Sequence, residues 1–267
     1  MLSVALRPAD AGTLPPTGPR VIRLNHNNFF TDNGTTTYTL QFPCSGDLLV
    51  GLWVGATPPT TNIGITSITD SNGNSWVKGA FIDDGNTGAG QPEIWYALNA
   101  KTSSDMTMTL TLEAAQSQSE LILYDCSFPG AVFDTKAGSP TTTGNQSTNT
   151  NLTTTSITPT KPGGLYFGMV GINRHTVSGT VGAAYLFDAM VYPEADASRA
   201  FDEDNGKAHV FNTDTSTLQF VWTIQHNTGL GGTGVGTWAS CACGFMPPFI
   251  SSGRKPLSSQ RIEGSYW

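Results

Sequence analysis

The feature that most constrains this chain is a two-residue alternation of polar and apolar side chains, which recurs along its length. It is clearest in "MTMTLTL" (Met106 to Leu112), where Thr takes every second position and Met or Leu the positions between. In "TTTYTLQF" (Thr35 to Phe42) the same alternation puts Tyr, Leu and Phe on one face. Because successive side chains of a strand point to opposite faces, both segments are predicted to be β-strands with one face in a core.

Composition agrees with an all-β protein. Of 267 residues, 38% are hydrophobic and only 12% charged, and the 30 Gly and 16 Pro punctuate the chain at short intervals. About a dozen strand patterns follow one another, and "DLLVGLWV" (Asp47 to Val54) is apolar enough to be buried on both faces. We therefore expect a two-sheet β-sandwich of jelly-roll type over residues 21–248, a single domain.

A faint internal symmetry runs through this domain. "GDLLVGLWV" and "GGLYFGMVG" share Gly46/Gly163, Leu48/Leu165 and Gly51/Gly168. "CSFPG" echoes "CGFMP" at Cys126 and Cys243, again 117 positions apart (46 to 163 and 126 to 243). Chance remains an alternative, since the strands between do not align at that offset. If the echo is structural, each half is expected to contribute one sheet, and Cys126 and Cys243 are expected to be equivalent.

The two ends of the chain differ from the domain between them. Residues 1–20 and 249–267 are rich in Pro, Gly, Thr and Ser without any period, which predicts extended arms. We expect both arms to contact other subunits or other particle proteins. The C-terminal arm offers the following residues for such contacts: Arg254, Lys255, Arg261, Tyr266 and Trp267.

One turn carries the best candidate ligand contacts. In "ITDSNGNSW" (Ile68 to Trp76), Asn72 and Gly73 suit the positive-φ positions of a hairpin turn, and Asp70 and Asn74 suit caps of its ends. The alternative is that Asp70, Asn72 and Asn74 beside the Trp76 indole form a saccharide contact. Other aromatic candidates for such a platform, among them Trp53, lie in strand patterns that predict burial.

Charge and hydropathy limit the partners. A net charge of −7 with 13 scattered basic residues does not suit a nucleic-acid surface. No stretch approaches the length of a membrane span, so membrane insertion is not expected. The first twenty residues have neither the basic region nor the apolar core of a Sec signal peptide.

The sequence contains few patterns typical of metal sites or reactive thiols. Cys44, Cys126, Cys241 and Cys243 fit no zinc spacing and are expected to be buried free thiols, with a bridge between two of them as the alternative. "DEDNG" crowds oxygen ligands, so Asp202 and Asp204 are the candidates for a weak Ca²⁺ site, although it lacks the distant glutamate of an EF-hand loop. No other cofactor is expected.

The sequence also lacks an obvious catalytic set. The four histidines have unlike contexts, and no nucleophile elbow or zinc-protease motif occurs. Neighbouring acids such as Asp83 and Asp84 do not show the separated carboxyl pair of a glycosidase. We therefore do not expect an enzyme.

Taken in order, the segments "GDLLVGLWVG", "ITDSNGNSWVKGA", "IWYALNA", "LILYDCSFPG", "TPTKPGGLYFGMVG" and "TWASCACGF" resemble β-sandwich modules of bacterial extracellular and phage-derived surface proteins. The resemblance covers about Thr35 to Met246 and implies adhesion, carbohydrate contact or display. The chain departs from such modules by its two arms and its lack of companion repeats. The sequence thus predicts a structural or attachment protein, a surface, decoration or fibre component of a phage-like virion. The alternative is a lectin-like module that binds host or cell-surface glycans.

Overall fold

The computed structural model of the chain describes residues 18–30, 35–57, 61–82, 91–115, 118–144, 149–154, 156–172, 176–181, 186–191, 204–226 and 236–248. Within these ranges every regular element is a strand, and all strand pairs are antiparallel. The described residues contain no helix with the length and apolarity needed to cross a bilayer. The predicted all-β fold is confirmed.

Among the described residues, nine strands belong to the first half of the chain, repeat 1: β1 Arg20–Phe30, β2 Thr37–Cys44, β3 Leu48–Thr57, β4 Thr61–Asn62, β5 Ile65–Asp70, β6 Trp76–Phe81, β7 Glu93–Leu98, β8 Ser103–Leu112 and β9 Gln118–Ser127. Eight strands form the second half, repeat 2: β10 Val132–Gly144, β11 Asn149–Thr153, β12 Leu165–Ile172, β13 Thr176–Val181, β14 Leu186–Val191, β15 Asp204–Phe211, β16 Val221–His226 and β17 Gly236–Met246.

The two repeats have the same strand order. In repeat 1 a large sheet runs β1-β9-β3-β7-β6, with β4 paired to β3, and a small sheet runs β2-β8-β5. In repeat 2 the large sheet runs β10-β17-β12-β15-β14 and the small sheet β11-β16-β13. Apart from β4, each strand of repeat 1 thus has a counterpart at the same place in repeat 2. The internal symmetry suggested by the sequence is therefore a duplicated topology.

Three buried clusters show how these sheets are layered. One lies between the small and large sheets of repeat 1, and another between the large and small sheets of repeat 2. The third joins the two large sheets, because it contains Leu48 and Tyr124 of repeat 1 together with Phe167 and Phe245 of repeat 2. The body is therefore four layers thick, with the large sheets back to back in the middle.

Strand β3 shows why the sequence adopts this arrangement. Leu48, Val50 and Leu52 face the central cluster, whereas Leu49 and Trp53 on the other face pack under the small sheet. All of these side chains are buried, as the unbroken apolar run predicted. By contrast, β8 buries only its Met and Leu positions and turns its threonines outward, as its alternation predicted.

The structure differs from the sequence prediction in the number of sheets. We expected one sheet from each half, but each repeat supplies two, because the three-stranded sheets cover the outer faces of the large ones. The cysteine equivalence is also wrong. Leu48 pairs with Cys126, whereas its counterpart Leu165 pairs with Phe245, so Cys243 lies two residues from the position equivalent to Cys126.

Candidate functional site

Asp70 organises the turn that connects β5 to β6. Its Oδ1 accepts hydrogen bonds from the backbone N–H groups of Asn72 (2.9 Å) and Asn74 (3.2 Å). Its Oδ2 accepts one from the indole Nε1–H of Trp76 at 2.6 Å. Gly73 has a φ of 67° and donates its backbone N–H to the Asp70 carbonyl at 3.1 Å. Asp70 therefore caps the turn as predicted, and its carboxylate is engaged within the turn.

The turn is not a hairpin. β5 belongs to the small sheet and β6 to the large sheet, so the chain crosses between layers here. Of the predicted pair, only Gly73 has a positive φ. The two asparagines hold a neighbouring loop instead. Asn72 Nδ2 donates to the Lys101 carbonyl (2.8 Å), and Asn74 Oδ1 accepts from the Lys101 backbone N–H (2.8 Å).

Beyond this turn lies the edge of the large sheet. β6 is its last strand, with β7 on one side and no described strand on the other. We call Trp76–Phe81 the β6 edge. Trp76 is half-buried and packs against the core below the small sheet. Val77 and Phe81 keep 45% and 52% of their surface exposed, the highest values among the large hydrophobic side chains whose burial the structure describes.

A buried carboxylate lies behind the β6 edge. Glu93 of β7 is fully buried, and its Oε1 accepts hydrogen bonds from Lys78 Nζ (2.7 Å) and Gln91 Nε2 (2.8 Å). Its Oε2 accepts from the indole of Trp95 (2.7 Å) and the backbone N–H of Ile65 (3.2 Å). Four donors thus compensate the burial of one charge.

The charge of Lys78 is drawn towards this carboxylate. Its ammonium group lies 5.0 Å from the centre of the Phe81 ring and 5.2 Å from that of Trp95, within cation–π range. Burial raises the pKa of Glu93 above its ordinary value, and the hydrogen bond and charge of Lys78 oppose that rise. The edge therefore presents Phe81 and Val77, whereas its cation is directed at Glu93.

A groove lies at one end of repeat 1, apart from the β6 edge. It has a volume of about 550 Å³ and is lined by Arg23, Pro43, Cys44, Ser45, Thr102, Ser103 and Ser104. Arg23 Nη1 donates to the Pro43 carbonyl at 2.8 Å, which fixes the guanidinium at the groove wall. Thr102 in its lining directly follows Lys101, the residue held by Asn72 and Asn74. Hydroxyl groups and one cation therefore face a concavity beside the predicted ligand turn.

The other predicted site residues fall wholly or partly outside the described residues. Asp202 lies outside the described residues, and Asp204 is described only as the first backbone position of β15. Within the described part of the chain, no group of three or more His, Cys, Asp or Glu side chains could hold a metal ion. The arm residues Arg254, Lys255, Arg261, Tyr266 and Trp267 also lie outside the described residues.

All four cysteines are buried and free, which confirms the thiol prediction over the bridge. Three tryptophans are buried in the core, as the strand patterns predicted: Trp53, Trp95 and Trp222. Sequence reasoning missed Lys78 and Glu93. One signal could have found them, since each is a charged residue inside an otherwise apolar strand, which requires a partner.

Four antiparallel sheets in back-to-back layers define a β-sandwich protein with a duplicated topology. No protein family model matches the chain, and no curated protein matches it in sequence. A crystal structure of a protein from Eubacterium rectale that is inferred to be secreted aligns with a TM-score of 0.23 and 9% identity, over 85% of this chain and 74% of that one. That similarity is too low to carry an argument, so the resemblance to bacterial and phage modules stays a hypothesis.

Proposed function

We propose that this chain is a non-enzymatic structural protein on the surface of a virion or comparable extracellular particle, where its terminal arms join it to neighbouring copies. The observation that carries the proposal is the central core. Because both large sheets contribute to it, the two repeats form one thick, rigid block, as a lattice or fibre component requires. The strand order of the large sheets, β1-β9-β3-β7 in repeat 1 and β10-β17-β12-β15 in repeat 2, also supports the proposal. With β4 left out, the first, last, third and sixth strands of each repeat lie side by side, as in a jelly roll, an architecture used for capsid and lectin domains.

Assembly through the arms is tested by size-exclusion chromatography with light scattering. The full chain is compared with variants that lack residues 1–19, residues 249–267 or both. We expect the full chain to form oligomers that the double truncation reduces to folded monomers. A full chain that stays monomeric at high micromolar concentration, and whose ends are removed at once by protease, would contradict the proposal.

The groove at Arg23 favours a second candidate function, attachment to a surface glycan. Saccharides offer many hydroxyl groups, and this concavity is lined by one guanidinium group and by the hydroxyl groups of serine and threonine side chains. The adjoining turn holds its loop through Asn72 and Asn74, so the wall of the groove is fixed before a ligand arrives.

This function is tested by tryptophan fluorescence and calorimetry with host or bacterial surface polysaccharides. Arg23→Gln removes the cation at the groove, and Arg20→Gln removes an exposed cation three residues away on the same strand as a matched control. We expect Arg23→Gln alone to weaken binding about tenfold, the effect of one lost charge-assisted hydrogen bond. Equal affinities for the two variants, or no binding to any glycan, would reject the groove as a receptor site.

A further inference from the structure

The β6 edge lacks the protection that exposed strand edges usually have. Proteins commonly guard such an edge with outward charges, because its free backbone groups can pair with another chain. The charged residue of β6, Lys78, is instead drawn onto Glu93 at 2.7 Å. The bulge at Lys78/Ala80 is the remaining guard on this strand. Within the part of the chain that the structure describes, the edge is therefore open to a partner.

The exposed apolar side chains lie on both faces of the sheet at this edge. Val77 pairs with Tyr96, which packs in the central core, so Val77 is on the face toward repeat 2. Phe81 pairs with Glu93 and lies beside Lys78, on the face toward the small sheet. A body docked on one face would cover only one of these side chains. An extended segment laid along β6 would cover both, since its own side chains alternate between the faces.

Charge identifies a suitable segment within the chain itself. Residues 249–267 contain three basic residues and one acidic residue, Glu263, which gives a net charge of +2. Residues 21–248 contain eight basic and 18 acidic residues, a net charge of −10. The C-terminal arm is thus attracted to the body of another copy, and its aromatic residues Tyr266 and Trp267 match an apolar edge.

The length of the arm permits this contact. Nineteen residues follow Pro248, and a fully extended chain of that length spans at most about 65 Å. A body of some 230 residues has a radius of gyration of about 17 Å. The arm is therefore long enough to cross its own subunit and reach an edge on the next.

We infer that the β6 edge is the docking site for the C-terminal arm of a second copy, which pairs along β6 and whose apolar residues, Tyr266 and Trp267 among them, cover exposed side chains of the edge. This inference rests on the proposed assembly through the arms. The inference names the surface that receives the arm, the β6 edge. The contact then extends the large sheet of one subunit by a strand from another.

The first test compares two edges of the same sheet. Val77→Thr with Phe81→Ser removes the apolar character of the β6 edge, and Ile22→Thr does the same on β1, the opposite edge, where Ile22 is 38% exposed. We expect the β6 variant to raise the dissociation constant of the oligomer about tenfold or more. The Ile22 variant is expected to leave it within about twofold. Deleting residues 249–267 should add little to the β6 variant, since both changes remove one contact.

The second test uses cross-linking, which the burial of all four native cysteines permits. Phe81→Cys with Trp267→Cys is expected to give disulfide-linked oligomers under mild oxidation, whereas Ile22→Cys with Trp267→Cys is not. If arm deletion dissociates the oligomer while the β6 variant stays assembled and no cross-link forms, the docking site is wrong and the arm assembly stands. If the full chain is a monomer, both fail.

Discussion

The two repeats have one strand order but anchor their turns differently. In repeat 1 the turn before β3 is held by Asp125 of β9, which accepts hydrogen bonds from the backbone N–H groups of Ser45 (2.9 Å) and Gly46 (2.7 Å). In repeat 2 the segment before β12 is held by Asn212, which follows β15 and accepts a hydrogen bond from the Gly164 backbone. The apolar pattern is thus shared, whereas the polar anchors come from places that are not equivalent, β9 in repeat 1 and the residue after β15 in repeat 2.

The interface between the repeats is also asymmetric. Leu52 pairs with Ile94, and its counterpart Met169 pairs with Lys207. Where repeat 1 has Glu120, the register of repeat 2 places Ala239. Lys207 Nζ and Glu120 Oε2 lie 2.5 Å apart, and both side chains are almost completely buried.

This ion pair replaces what would be an apolar pair under exact symmetry. Burial lowers the pKa of Lys207, and the charge of Glu120 opposes that effect. A buried ion pair contributes little net stability, but any packing that separates the two charges leaves them uncompensated and is strongly destabilised. The comparison therefore indicates that the pair selects one alignment of the two large sheets.

The largest effect is expected from breaking this pair. Lys207→Met leaves the Glu120 carboxylate buried without its cation, which should reduce the free energy of unfolding by about 4 kcal/mol. Adding Glu120→Met restores an apolar pair and should recover most of that loss. Chemical denaturation measures both variants. A single variant that costs less than about 1 kcal/mol would show that Lys207 does not compensate the buried Glu120 charge.

Replacing the charged turn anchor should reduce stability more than replacing the neutral one. Asp125→Ala removes a carboxylate and leaves two backbone donors without their acceptor, for an expected loss of about 3 kcal/mol. Asn212→Ala removes a neutral side chain that donates to the Lys161 carbonyl (2.9 Å) and is expected to cost about 2 kcal/mol. Urea unfolding at constant pH compares the two, and a reversed order would contradict the charge argument.

Substitutions at two equivalent glycines are expected to change stability less than loss of the ion pair or of Asp125. A methyl carbon at Gly168 would lie 2.4 Å from Phe220 Cγ, whereas one at Gly51 would lie 3.3 Å from Leu121 Cδ1. Gly168→Ala should therefore cost about 2 kcal/mol through overpacking. Gly51→Ala should stay within about 1 kcal/mol of wild type, because the end of a leucine can shift. Thermal unfolding of the two variants decides whether the second repeat is the more tightly packed.

The smallest effect is expected when the folded chain is treated with a thiol-reactive dye. Burial, reinforced by the charge of Asp125, raises the pKa of Cys44 to about 11, and burial also raises the pKa of Cys241 and Cys243. At pH 8 these thiols stay protonated and unreactive in both repeats. A thiol-reactive dye should label almost none of the folded chain and four groups after denaturation. Rapid labelling of Cys126, Cys241 or Cys243 in the folded chain would show that one of the cores opens, whereas labelling of Cys44 alone would show that the groove admits the dye.

Much of this fold could be predicted from the sequence, because side-chain alternation reports burial directly. The doubly buried run of β3 and the one-sided run of β8 both behave as their patterns predicted. The four layers could not be predicted, since a strand pattern shows that a face is covered without showing which sheet covers it. Gly51 and Gly168 do mark equivalent positions, whereas the cysteine echo failed because strand register, set by hydrogen bonding, shifts by two residues.

The candidate site was predicted only in part. Asp70 and Trp76 were selected for their chemistry, and the structure joins them through a hydrogen bond inside the turn. Phe81 escaped notice because an aromatic residue in an apolar strand usually belongs to the core. Its exposure follows from the edge position of β6, which depends on pairing between distant segments. Such long-range pairing leaves no mark in a local pattern.

The shared central layer has a consequence for biosynthesis. Until residues 165–246 leave the ribosome, the inner face of the first large sheet has nothing to cover it. At typical elongation rates of 5–20 residues per second, the 119 residues between Ser127 and Met246 take roughly 6 to 24 seconds to synthesise. The nascent first half thus exposes an apolar sheet face for that interval, which makes it prone to aggregation until the second half is complete.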